Sequence, residues 1–127
     1  MIGAIIGDIV GSRFEWDNHR SKDFDLLTHK CFFTDDSVMS LAVCDALMKC
    51  KADYSDLSEQ AVRSMQGVGR PYPHCGYGGS FQRWMYSDTP KPYNSYGNGA
   101  AMRVSGCGYV GRTIDEVKQL SRAVTEV

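Results

Sequence analysis

The sequence predicts an all-α domain. Three observations carry that expectation: apolar residues recur with a period near 3.6, convincing strand alternation is absent, and capping residues stand just ahead of apolar runs. The chain has 127 residues, the size of one ordinary domain, and no clear internal repeat or low-complexity segment. At 43% hydrophobic and 23% charged it packs a core rather than staying disordered.

Six helical segments follow in order. The first covers about Ile2 to Phe14 and repeats glycine at Gly3, Gly7 and Gly11, a bare side that suits close approach of another helix. A polar loop runs from Asp17 to Phe33. The second segment, about Asp35 to Lys51, is apolar nearly all round, which marks a central, buried helix. The third spans about Leu57 to Val68, with Leu57, Ala61 and Met65 at helical spacing and Asp56 and Glu59 arranged as a capping box. After the Gly/Pro loop GRPYPHCGYGG, a short helix covers about Ser80 to Tyr86. The loop SDTPKPYNSYGNG leads to a short buried helix over 100–108. The last helix starts at Thr113, with Glu116 completing a capping box and Val117, Leu120 and Val124 as its apolar stripe, and it reaches Val127 without a stop signal.

Charge and cysteine usage narrow the function. A net charge of -1 and a pI near 6.3 give no general attraction to nucleic acid or to anionic membranes. The five cysteines form no CxxC, and the three histidines lack zinc-finger spacing, so the thiols read as reduced. The apolar start MIGAIIGDIVGS is too short to span a membrane and lacks a signal peptide's basic region and cleavage site. The expected location is the cytoplasm, with no membrane partner.

Three stretches carry possible chemistry. Asp8 and Glu15 stand seven residues apart, two helical turns, and so share one face roughly 10 Å apart along the axis. Thr34-Asp35-Asp36-Ser37 reads as a helix cap, Thr34 accepting a backbone N–H and the carboxylates favouring the positive helix end. The same oxygens also suit a hard cation such as Mg²⁺, for which they supply only part of a shell. The glycine loops GYGGS (Gly76 to Ser80) and SYGNGAAMR (Ser95 to Arg103) each stand before a helix, as ordinary turns do and as phosphate-holding loops do. Asp23 and Asp25 form a further close pair in a charged loop and read as solvated.

The stretches GAIIGDIVGSRFE, FTDDSVMSLAVCDAL, GYGGSFQRWM and SYGNGAAMRVSGCG occur in this order, and together they resemble the ADP-ribosylglycohydrolase family, which includes the dinitrogenase-reductase-activating glycohydrolases. The resemblance covers nearly the whole chain. It implies an all-α, orthogonal helical bundle, here of about six helices, with two Mg²⁺ (or Mn²⁺) ions at the bottom of a cleft. It implies hydrolysis of the N- or O-glycosidic bond that links ADP-ribose to a modified side chain. By the same resemblance Thr34, Asp35 and Asp36 are metal ligands, and Asp35 and Asp36 join Glu15, which gates or assists catalysis in some relatives, in the catalytic set. Ser95, Tyr96, Gly97, Asn98 and Gly99 match the loop that holds diphosphate and ribose. Gly78 and Gly79 match a glycine loop near the substrate, and Asp8 fits as a supporting residue.

The sequence also departs from that pattern. Family members run to roughly twice this length, and their later His-containing stretch and D-x-D-T/S motif, which completes both metal shells, are not among these residues. The expectation is therefore a single domain, 1–127, lacking the C-terminal half, with half a metal site and an exposed apolar patch. Either a second chain or partner copy completes a hydrolase, or the chain is a non-catalytic homologue that binds ADP-ribose or only self-associates. A different Mg²⁺-dependent hydrolase built on phosphate-holding loops is a third option. ADP-ribose or an ADP-ribosylated protein is the expected partner, together with a homo-oligomer or second chain.

Overall fold

A computed structural model describes residues 1–127 and is helical throughout, with no strand. The elements are α1 (Ile2–Gly11), α2 (Asp35–Lys49), α3 (Leu57–Gly69), α4 (Gly79–Tyr86), α5 (Gly99–Met102), α6 (Cys107–Val110) and α7 (Ile114–Thr125), with 3₁₀ turns at Ser12–Phe14 and Val104–Gly106. The expected all-α architecture is what forms. No helix is long and apolar enough to cross a membrane.

Helix α2 is the centre, and α3 lies along it as its main partner. Val38, Met39, Ala42, Val43 and Ala46 of α2 are buried against Leu57, Ala61 and Met65 of α3, all at the spacing the sequence indicates. Trp84 and Met85 of α4, Cys107 of α6, and Leu120 and Val124 of α7 close the core. Polar ties fix the neighbours of α3: Ser64 Oγ donates to Asp45 Oδ2 at 2.7 Å, Gln66 Nε2 to the Ser87 carbonyl at 2.9 Å, and Arg70 Nε to the Met85 carbonyl at 2.8 Å. Gly69 sits where α3, α4 and α2 converge. A β-carbon there would overlap Met85 Sδ and stand 2.9 Å from Met39 Cε.

Several sequence expectations are corrected. The first α-helix stops at Gly11 and tightens into the 3₁₀ turn that reaches Phe14. No element approaches its glycine side, since a β-carbon at Gly3, Gly7 or Gly11 would meet nothing within 4 Å. Helix α2 is not buried all round: Leu41 is 49% and Met48 80% exposed, because nothing in the chain covers that face. Asp56 does not cap α3. Its Oδ1 accepts from Lys51 N and its Oδ2 from Gln60 Nε2, so the carboxylate closes the preceding turn instead. Helix α4 begins one residue early, at Gly79. The single buried helix expected over 100–108 is three short pieces, of which Arg103, Gly106 and Cys107 are buried. Thr113 does cap α7, accepting from Glu116 N at 3.2 Å, but Glu116 Oε2 takes the N–H of Arg112 rather than that of Thr113. Helix α7 ends at Thr125, whose Oγ1 donates back to the Ser121 carbonyl, and does not run to Val127.

The loop over 17–33 is held from one end. Arg13 donates to Thr28 Oγ1 and to the Asp25 carbonyl and lies over the rings of Phe14 and Phe24, while Phe32 N donates to Ser12 Oγ at 3.1 Å. Asp23 and Asp25 are exposed. All five cysteines are unpaired.

The surface is large for the mass. The accessible area is 8437 Å² for 14.1 kDa, against about 6,700 Å² for a compact monomer of that size. Helix α1 buries no residue, and Ile2 and Ile6 on it stay exposed, as do Leu41 and Met48 on α2.

Because Met39 and Met85 are both fully buried, their side chains can yield only into occupied space. Gly69→Ala is expected to lower stability by about 1–3 kcal/mol, read as a reduced urea midpoint at unchanged slope. An unaltered midpoint would show that this junction has room to spare.

Candidate functional site

The N-terminus of α2 forms one wall of a cleft, and its construction begins on another helix. Asp8 of α1 accepts four hydrogen bonds from α2 and its cap: Thr34 N at 2.8 Å and Thr34 Oγ1 at 2.5 Å, Ser37 N at 3.2 Å and Ser37 Oγ at 2.5 Å. Thr34 Oγ1 accepts in turn from Asp36 N at 3.3 Å. Asp35 N donates to the Cys75 carbonyl at 2.7 Å, and the chain turns away at once through Gly76, at φ +91°. A side chain at position 76 would be strained by that φ and would crowd Asp35 Oδ1 at 3.4 Å. Every N–H of the first turn thus has a protein partner, and the Asp35 and Asp36 carboxylates are not needed as caps.

Both carboxylates line the cleft, together with Asp8 and Glu15. None of the four is ion-paired. Burial, and then the charge of Asp36, raises Asp35 to a pKa of about 6, with smaller contributions from Glu15 and Asp8. Burial followed by Asp8 also raises Asp36.

Another part of the lining is aromatic and cationic. Phe81 stacks on Trp84 at 5.3 Å between centroids, Tyr77 packs on Phe81 at 5.7 Å, and the Arg103 guanidinium lies 5.7 Å from the Phe81 ring. Tyr93 completes this side. The Tyr77 hydroxyl and Trp84 Nε1 are buried without a partner.

The cleft has a volume of about 870 Å³. It brings together Glu15, Thr34, Asp35, Asp36, Gly78, Gly79, Ser95, Gly97, Asn98 and Gly99. Tyr96 is the one candidate left out, because its side chain is fully exposed at 108% and forms no part of the wall. A β-carbon at Gly78 would meet nothing within 4 Å, so a ligand can come up to bare backbone there. Gly7 and Gly11 also line the cleft, which gives the glycine side of α1 a role other than helix packing. The N–H of Gly97 is already taken by Ser95 Oγ at 3.1 Å.

The donor chemistry suits a hard cation: oxygen ligands only, and carboxylates with no counter-charge. The set is incomplete, since no three His, Cys, Asp or Glu side chains converge closely enough to hold an ion. Thr34, Asp35 and Asp36 could supply at most one side of a shell. Sequence reasoning missed the capping of α2 by Asp8 and the wall of Phe81, Trp84, Tyr93 and Arg103. Phe81 and Trp84 stand three apart behind GYGGS, a signal available in the sequence, whereas nothing local marks Tyr93 or Arg103.

The raised Asp35 value fixes a pH dependence. A carboxyl whose folded pKa, about 6, exceeds its ordinary 3.8 stabilises the fold fully below about pH 3.8 and loses that contribution as pH rises through about 6. Asp35→Asn is therefore expected to stabilise the metal-free protein at pH 7 by about 1–2 kcal/mol, after discount for partial solvent exposure, with the gain fading toward pH 4. Urea unfolding in chelator at both pH values checks this, and a destabilised variant at pH 7 would contradict it.

The ADP-ribosylglycohydrolase family model matches residues 1–127, the whole chain. No solved structure matches it.

Proposed function

Since the chain belongs to the ADP-ribosylglycohydrolase family, we propose that its cleft receives an ADP-ribosyl group and serves Mg²⁺-dependent hydrolysis of the N- or O-glycosidic bond to a modified protein side chain. The observation that carries this reading is the set of unpaired carboxylates at one side of a glycine-walled cleft. In hydrolysis, a water oxygen bonds to the anomeric carbon as the bond to the side-chain nitrogen or oxygen breaks. The proton lost by water ends on the leaving atom. Glu15, exposed on the cleft wall, is the group we assign to accept and return that proton. Thr34, Asp35 and Asp36 would hold Mg²⁺, or Mn²⁺, and in the completed site two ions. The bound cation supplies charge to orient sugar hydroxyls and water. Gly78, Gly79 and the loop Ser95 to Gly99 are the surfaces we assign to the ADP-ribose backbone, and Tyr96 can contribute only by turning inward or through its main chain.

We further propose that a second chain or a partner copy completes the site. The partial donor set and the surface area in excess of a compact monomer support it. A non-catalytic homologue that only binds ADP-ribose is the second reading, favoured by that same incompleteness. Reduced thiols and the lack of a membrane-crossing helix fit a cytoplasmic protein.

Release of ADP-ribose from modified arginine or serine is expected to require Mg²⁺ and to fall at least about a hundredfold in Asp35→Ala or Asp36→Ala. Release that survives both substitutions would remove these residues from the site, and ADP-ribose binding without release would favour the second reading. Light scattering at micromolar concentration is expected to give a mass above 14.1 kDa. A monomer at all concentrations would refute the partner copy.

A further inference from the structure

We propose that Arg103 is the anion anchor of the cleft, taking the diphosphate of the ligand on guanidinium Nη1. The identity of that anion rests on the ADP-ribosyl reading above, whereas the assignment of Arg103 rests on its own geometry.

Arg103 is only 7% exposed, yet it takes part in no ion pair. A buried cation without a counter-charge is costly, and such groups are normally paired or bound to an anion. None of the cleft carboxylates is close enough to compensate it. Beyond burial, which lowers its pKa, the one neighbour that bears on its charge is Tyr93. The protein satisfies half of the fork: Nε and Nη2 donate to a single acceptor, the Val124 carbonyl, at 3.2 and 3.1 Å. Nη1 has no protein acceptor, and it is not among the buried polar atoms sealed without a partner. It is thus the edge of the guanidinium that solvent in the cleft reaches, and Arg103 lines that cleft.

The group is also held still. The Val124 carbonyl fixes one side, and the Phe81 face, backed by Trp84, supports it at 5.7 Å. A fixed planar fork with a free edge is suited to phosphate oxygens, where a flexible ammonium is not. Arg103 lies four residues beyond Gly99, so the loop from Ser95 to Gly99 and this charge reach the cleft together. The cleft is therefore bipolar, with cation-seeking carboxylates on the α2 side and one anion-seeking guanidinium beside the aromatic wall.

The test compares the full-length wild type with Arg103→Met and Arg103→Lys. It measures calorimetric affinity for ADP-ribose in Mg²⁺ and for inorganic pyrophosphate in metal-free buffer, with the unfolding midpoint as control. Arg103→Met is expected to weaken both ligands about ten- to a hundredfold at low salt and to flatten the salt dependence of binding. Arg103→Lys, which keeps the charge but not the fork, is expected to fall between. Affinities equal to wild type in a folded Arg103→Met would overturn the anchor and leave a packing role only. If wild type ignores ADP-ribose but binds pyrophosphate through Arg103, the ADP-ribosyl reading falls and the anchor stands. Binding of neither probe by wild type overturns both. Should Arg103→Met fail to fold, Arg103→Lys decides: unchanged pyrophosphate affinity at an unaltered midpoint overturns the proposal.

Discussion

The carboxylate of Asp8 is the constraint on which the rest depends. Helix α1 buries no residue of its own, so hydrophobic burial alone gives it little hold on the core. Its main polar hold is the Asp8 side chain, which accepts four hydrogen bonds at the start of α2, where the helix dipole also favours negative charge. With the tie of the Met1 amino group to Tyr109 at the start of the helix, that contact sets the position of α1 and the placement of Gly7, Gly11 and Glu15 along the cleft. It also changes what the next residues are free to do. A helix start usually claims its nearby acidic side chains as caps. Here Asp8, Thr34 and the Cys75 carbonyl satisfy the first-turn donors, and Asp35 and Asp36 are left to face the cleft.

The cost of that arrangement is visible in the electrostatics. Four acidic groups line one cleft without an ion pair, and burial together with the neighbouring charges raises Asp35 to a pKa of about 6. A fold selected for stability alone would pair or remove such charges. Unpaired carboxylates in a concave site are a pattern common in functional sites. Gly76 belongs to the same design, since its positive φ allows the Cys75 carbonyl to reach Asp35 N while the chain leaves without crowding the carboxylate.

Much of the fold was legible in the sequence because it is written locally. The period of Leu57, Ala61 and Met65, the stripe of Leu120 and Val124, and the cap at Thr113 are short-range signals that tertiary packing reinforced. The misses share a physical cause, in that each depends on which of several possible partners a group finds in the fold. Asp56 has the composition of a cap, but its carboxylate is taken by Lys51 and Gln60. The glycine repeat of α1 has the spacing of a helix interface, but it opens onto the cleft. The segment over 100–108 is apolar enough for one buried helix, but it bends in short turns so that Arg103 can reach the Val124 carbonyl. The acidic and glycine-rich candidates, Tyr96 apart, line one cleft, as their motifs and positions suggested. The wall of Phe81, Trp84, Tyr93 and Arg103 was not foreseen, because its members come from separate segments and meet only in the fold, where Arg103 lies over Phe81 and donates to the Val124 carbonyl.

That wall bears on how the site can select a ligand. Carboxylates gathered on one side repel a bare anion, and an uncompensated guanidinium on the other repels a bare cation. A ligand that carries an anionic centre and also brings a divalent cation answers both at once, and each half of it relieves a charge that the folded chain cannot relieve alone. The glycine stretches between them add reach without adding preference, since backbone at Gly78 is open to close approach. The separation of the two poles is held at one end by Asp8, which ties α1 to α2, and at the other by Val124 and Phe81, which hold Arg103.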